Sequence, residues 1–155
     1  MSKLISIAII KSNLCDPEDL INARAMVKKL GANVTTAEFS GGNYSPKYLK
    51  TSSGVIAVGY DQPSTSNLYW IGKGMYTEMF IAQSKGLNIF YKSSLGYHKV
   101  TVLVEIGTDW TKKYGQVTVT TKVRDTLSLN DFGITDIVPV KTTTRKSFRS
   151  NFKRD

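Results

Sequence analysis

The hydrophobic pattern of this chain changes character at Lys92, from apolar runs and helical repeats before it to alternation after it. Residues 4–10, LISIAII, form a continuous apolar run rich in Ile. Such a run predicts a strand buried on both faces, as at the centre of a parallel sheet. Asp16-Pro17-Glu18-Asp19 then signals a helix start, with Asp16 as N-cap, Pro17 first in the helix and acids near the positive end of the dipole. Leu20, Ala23, Val27 and Leu30 recur at helical spacing, and Gly31 marks the stop. Residues 33–39 predict a second strand. The chain therefore opens β-α-β, which implies a right-handed crossover between parallel strands.

Residues 40–53, with Gly41, Gly42 and Pro46, read as a loop with one helical turn around 46–49. Residues 54–60 predict a third strand and 61–68 a polar loop. Residues 74–85 predict a second helix, with Glu78 in its first turn and Gly86 at its end, and 87–92 a fourth strand. Further on, Val100, Val102, Val104 and Ile106 alternate with Thr101, Leu103 and Glu105. Val117, Val119 and Val123 recur in a second alternating stretch, and the two predict an antiparallel pair. Asp131-Phe132-Gly133 reads as a turn. The expected fold is one α/β, Rossmann-like domain over residues 1–140. It has a mostly parallel sheet of about four strands, extended by an antiparallel strand pair. A flexible basic C-terminal tail is expected over 141–155.

Composition narrows the function classes only slightly. A length of 155 residues fits one domain, and 41% hydrophobic with 21% charged residues is ordinary for a globular protein. No apolar run reaches the roughly 18 residues of a membrane span, so no membrane partner is expected. The N-terminal segment lacks a small-residue cleavage site and reads as a strand, not a signal peptide. A lone Cys15 excludes an internal disulfide and fits a reducing, cytoplasmic setting. With one Cys and one His, His98, no zinc site is expected, and no cofactor either. The net charge is +9, and residues 141–155 hold six basic residues against one acid. That imbalance favours an anionic partner.

The chemistry-bearing segment is 54–92. An apolar strand runs into Asp61, and a polar loop with Asn67 leads to Gly72-Lys73-Gly74 and then to Glu78 on a helix. In open α/β sheets, ligands sit beyond the carboxyl ends of strands, where this loop belongs. Gly72 and Gly74 let backbone approach a ligand, and the helix N-terminus favours an anion. Gly74-Met75-Tyr76-Thr77-Glu78, followed by Ala82-Gln83-Ser84-Lys85-Gly86, resembles the nucleoside 2-deoxyribosyltransferase family. There, Gly-Thr-x-x-Glu opens a helix and Ala-x-x-x-Gly leads to the next strand. The segment from Ile71 to Glu78 also resembles the Rossmann-like "lysine decarboxylase-like" phosphoribohydrolases, with their Gly-Gly-x-Gly-Thr-x-x-Glu. This chain carries Met75 where those families carry Thr, and Gly72-Lys73 where the transferases carry an acid.

The resemblance implies a nucleoside or nucleotide ligand and cleavage or transfer at the N-glycosidic bond, with Glu78 as nucleophile. It also implies a homo-oligomer, because the transferases complete their sites from neighbouring subunits. A carboxylate suits this reaction because it stabilises or captures a cation-like ribosyl centre. Asp61 and Asn67 are candidate partners for a base or sugar hydroxyl, and Lys73 for a phosphate. Tyr60, Tyr69, Trp70 and Tyr76 are candidate stacking platforms. Each has an ordinary structural role as the alternative: helix-dipole acid, turn residue, solvated lysine, core aromatic.

A second class of function rests on the tail. Arg145, Lys146, Phe148, Arg149, Phe152, Lys153 and Arg154 interleave cations with aromatic rings, a pattern for binding nucleic acid or docking on a protein. An assembly or nucleic-acid-binding protein on a degenerate scaffold is thus the alternative, as is a nucleotide sensor or sponge without turnover. His98 has no serine or cysteine constellation suggested by sequence and reads as structural. Cys15, before a helix N-terminus, is a candidate for a lowered pKa, with an inert thiol as the alternative.

Overall fold

The computed structural model describes residues 5–35, 39–40, 43–44, 47–60, 67–107 and 112–134. Strand β1 (Ser6–Lys11) is followed by helix α1 (Pro17–Lys29) and strand β2 (Asn33–Thr35). Asp16 caps α1, its carboxylate accepting from the Glu18 amide at 2.9 Å. Gly31, at φ 77°, lets the chain leave the helix. Of the expected second strand, Asn33–Thr35 forms β2, whereas Phe39–Ser40 (β3), at its far end, pairs with Asn43–Tyr44 (β4) in a separate two-stranded sheet. One helical turn, α2 (Lys47–Lys50), leads into β5 (Gly54–Val58).

Strand β6 (Leu68–Ile71) precedes helix α3 (Lys73–Ser84), and β7 (Ile89–Ser93), β8 (Gly96–Glu105) and β9 (Gly115–Val119) follow. A 3-10 turn at Leu129–Phe132 closes the described chain. One seven-stranded mixed sheet has the order β2-β1-β5-β7-β8-β9-β6. Its first four strands are parallel and its last three antiparallel. The antiparallel pair expected from the alternating stretches is β8 with β9; β6, at the edge, lies partly in what reads as loop.

Strand alternation sorts the core into two layers. Ile7, Ile9, Ile56, Val58 and Phe90 face α1, where Ala23, Met26 and Val27 pack. Ala8, Ile10, Val55, Ala57 and Tyr91 face α3, where Met75, Met79 and Ala82 pack. Burying both faces of the sheet explains the unbroken apolar runs of β1 and β5.

The pairing of β8 shifts register between Val100 and Val102. A one-residue slip exchanges the two faces of a strand. Val100 is therefore 8% exposed, Val102 is 47% exposed, and Leu103 packs on the core instead. The sequence alternation continues through Thr101, but the backbone does not. Among the described residues no helix is long and apolar enough to cross a membrane.

Candidate functional site

The chain turns sharply after β1. Ser12 donates its amide to the Val58 carbonyl at 2.9 Å, which ties the turn to the end of β5. The Ser12 hydroxyl accepts the Leu14 amide at 3.0 Å. This turn and Tyr60, just past β5, face the start of α3 across a cavity of about 740 Å³. Gly72, Lys73, Gly74 and Met75 line it from α3, and Lys112 lines it from the segment before β9. The Tyr60 hydroxyl donates to the Lys112 carbonyl, which joins two walls.

Glu78 lines the same cavity and is 4% exposed. The expected first-turn position is corrected: α3 starts at Lys73, Gly72 is its N-cap, and the first turn holds no acid. Glu78 lies in the second turn, so a favourable interaction with the helix dipole, which is confined to the first turn, does not explain it. It occupies the buried stripe Met75, Glu78, Met79, Ala82, at spacings that elsewhere in α3 are apolar. Carboxylates are seldom buried at such positions.

Three lysines line the same cavity as this carboxylate. Lys11 ends β1, Lys73 is the first residue of α3, and Lys112 stands opposite; all three line the cavity. The Lys73 Nζ lies 5.6 Å from the centre of the Tyr114 ring. The α3 N-terminus has no side-chain cap, so the first helical amides point outward beside Lys73. Together these groups favour an anion next to a buried carboxylate.

The residues singled out from the sequence separate into three groups. Gly72, Lys73, Gly74 and Glu78 converge on the cavity, together with Tyr60. Asn67 and Tyr76 do not line it. Asn67 is exposed beside β6, where its carbonyl accepts the Val119 amide. Tyr76 stacks on Phe80 at 5.9 Å between ring centres and meets Tyr114 edge-on at 5.4 Å. Tyr69 is core, packed on Tyr91 at 4.2 Å, and Trp70 is half-buried under the Lys113 cation. Asp61 and the tail residues Arg145, Lys146, Phe148, Arg149, Phe152, Lys153 and Arg154 lie outside the described residues.

Lys11 and Lys112 were not picked out by sequence reasoning. Lys11 carried a usable signal, since it stands at the carboxyl end of a central parallel strand. Lys112 carried none: a polar segment between strands gives no indication of which wall it reaches.

His98 does have a serine partner. Ser93 Oγ lies 2.9 Å from His98 Nε2, and the Tyr69 hydroxyl lies 3.3 Å from the same nitrogen. Ser93 is 0% exposed and accepts the Leu95 amide at 3.1 Å, so it is a closed turn element, not an accessible nucleophile. Burial, the largest cause, lowers the His98 pKa; the Thr120 backbone opposes this and the Lys92 charge adds to it. The thiol of Cys15 goes the other way from the lowered pKa weighed for it. Burial raises it, Lys11 opposes that, and Asp19 and Asp16 reinforce it.

Comparison with known proteins gives no matching family model, no matching curated protein and no matching solved structure.

Proposed function

We propose that the cavity between β1, β5 and α3 binds a nucleoside or nucleotide, and that Glu78 acts at the glycosidic carbon. The observation that carries this reading is the position of the cavity in the sheet. The parallel strands run β2-β1-β5-β7, so the chain winds one way from β1 to β2 and the other way to β5. With α1 and α3 on opposite faces, this order supports reading the parallel part of the sheet as doubly wound and Rossmann-like. Its switch point lies between β1 and β5, where such sheets hold ligands. The cavity opens there, beside Lys11 and Tyr60.

The chemistry follows from the lining. A volume of about 740 Å³ is in the usual range for a small-molecule site. A phosphate would sit against the first amides of α3 with Lys73, and Lys11 and Lys112 would balance its remaining charge. The ribose would then lie toward Glu78. The C1′–N bond breaks with its electron pair leaving on the base, and a Glu78 oxygen forms the new bond to C1′. Water or a second base then displaces the carboxylate, and the protein is restored.

A reading without turnover is favoured by one observation. Met75 is 5% exposed and lines the cavity, so an apolar side chain stands where the resembling families place a hydroxyl. The cavity would then hold its nucleotide as a sensor or sequestering site.

The test is a thermal-shift screen of nucleosides, mononucleotides and cyclic dinucleotides, with chromatography for free base. A ligand present at about 100 times its Kd stabilises the native state by about 2.7 kcal/mol. A hit with base release that Glu78→Gln abolishes supports catalysis. A hit without release supports the sensor, and no hit removes the proposal.

A further inference from the structure

A second cleft lies at the other end of the parallel strands. It has a volume of about 390 Å³ and forms between the start of β7 and the segment after β9. Asn88 and Phe90 of one segment, Lys99 of β8, and Thr120, Lys122, Arg124, Asn130 and Asp131 of the segment after β9 line it. It shares no lining residue with the cavity under α3.

The charges in this cleft do not cancel. Arg124 is paired with Asp131 through Nη1 and Oδ1. Asp131 is fixed in turn by the Ser128 amide at 2.7 Å, within the capping box of the 3-10 turn. The Asn88 amide donates to the Asp131 carbonyl at 3.3 Å and ties this turn to β7. The wall is therefore braced. Lys99 and Lys122, by contrast, have no ion-pair partner among the described residues. Among the described residues two positive charges are thus left without an ion-pair partner in a cleft that Thr120 and Asn130 also line. Phe90 is 3% exposed, so no aromatic face is open for stacking a base.

We infer that this cleft binds a phosphate group, held by Lys99 and Lys122 and hydrogen-bonded by Thr120 and Asn130. The expected source is a phosphodiester strand. The described chain ends at Ile134, close in sequence to Asn130, and the six basic residues of 141–155 follow. The net charge of +9, with six basic residues in 141–155, favours a polyanion over a small anion.

The test uses the full chain, labelled single-stranded oligonucleotide and, separately, inorganic phosphate. The variant Lys99→Gln/Lys122→Gln removes two exposed side chains. Lys28→Gln/Lys29→Gln makes the same charge change on α1 and serves as the control. Binding is read by fluorescence anisotropy across a salt series. Losing two phosphate contacts lowers the slope of log K against log salt by about 1.4, and lowers affinity about 25-fold at about 0.1 M salt. That loss in the cleft variant, with the control close to wild type, is the expected result. Backbone amide shifts at Thr120 and Asn130 on adding inorganic phosphate, without selective oligonucleotide binding, assign the cleft to free phosphate. Equal losses in both variants without such shifts overturn the inference, as does the absence of both oligonucleotide binding and phosphate shifts.

Discussion

Lys92 of β7 and Asp19 of α1 form a buried ion pair, Nζ to Oδ1 3.2 Å, with side chains 7% and 9% exposed. The ammonium also donates to the Ser93 carbonyl at 2.6 Å and lies 5.4 Å from the Tyr97 ring centre. Tyr97 in turn donates to Asn22 Oδ1 at 2.7 Å, so the first helix is bolted to the sheet by polar contacts as well as by its apolar face.

Breaking one side of this pair strands the other charge in the core. Lys92→Met is expected to destabilise the fold by about 3–5 kcal/mol, as truncation of one partner of a buried pair does. The double variant Asp19→Leu/Lys92→Met should recover most of that loss, because no charge is then left unpaired. Urea denaturation of the three proteins checks both statements. A single variant within about 1 kcal/mol of wild type would show that the pair contributes little.

His98 contributes a pH dependence near neutrality. Its folded pKa lies below the ordinary 6.5, so the unfolded chain binds the extra proton first. The resulting stability is fully present above about pH 6.5 and is lost as pH falls toward the folded pKa. The protein has one histidine, so its imidazole titration by proton NMR is read without assignment. The midpoint should fall below 6.5. Wild type should also lose more stability than His98→Gln between about pH 7.5 and pH 5.5. Equal slopes in the two proteins would contradict the assignment.

Gly96 starts β8 at φ +142°, and a Cβ there would lie 2.7 Å from the Arg124 carbonyl oxygen. Gly86 has φ +79° but nothing within 4 Å of such a Cβ. Gly86→Ala should therefore cost only the left-handed backbone penalty, about 1–2 kcal/mol. Gly96→Ala meets backbone as well, and should cost about 1–3 kcal/mol from overpacking on top of its backbone strain. Thermal midpoints order the two variants; a Gly96→Ala midpoint above that of Gly86→Ala would contradict the packing.

The sequence reveals those elements whose local signals agree with their burial. β1, α1, β5, α3 and β7 have apolar runs or helical stripes with clear stops, and each forms close to where its pattern places it. β6 escaped because Leu68-Tyr69-Trp70-Ile71 is four residues long and follows a polar stretch. β8 begins at Gly96, ahead of its regular alternation, because the tight Ser94-Leu95 turn pairs it at once with β7. At the candidate site, Gly72, Lys73, Gly74 and Glu78 were legible through glycine spacing. The burial of Glu78 was not read from the sequence, which placed it in the first turn; the stripe with Met75, Met79 and Ala82 emerges only once the helix start at Lys73 is known. The pairing of Asp19 with Lys92 was not legible either, since the two are 73 positions apart and Asp19 suits a first helical turn on its own.

The most direct test of the proposed nucleotide site is calorimetric titration of a nucleoside 5′-monophosphate into wild type, Lys73→Gln and Glu78→Gln. The account predicts one site in wild type, weakened about tenfold or more in Lys73→Gln through loss of a charge-assisted contact to phosphate worth about 1.5–3 kcal/mol. It predicts that Glu78→Gln still binds. Unchanged affinity in Lys73→Gln, or no heat of binding in wild type, would place the ligand elsewhere and contradict the account.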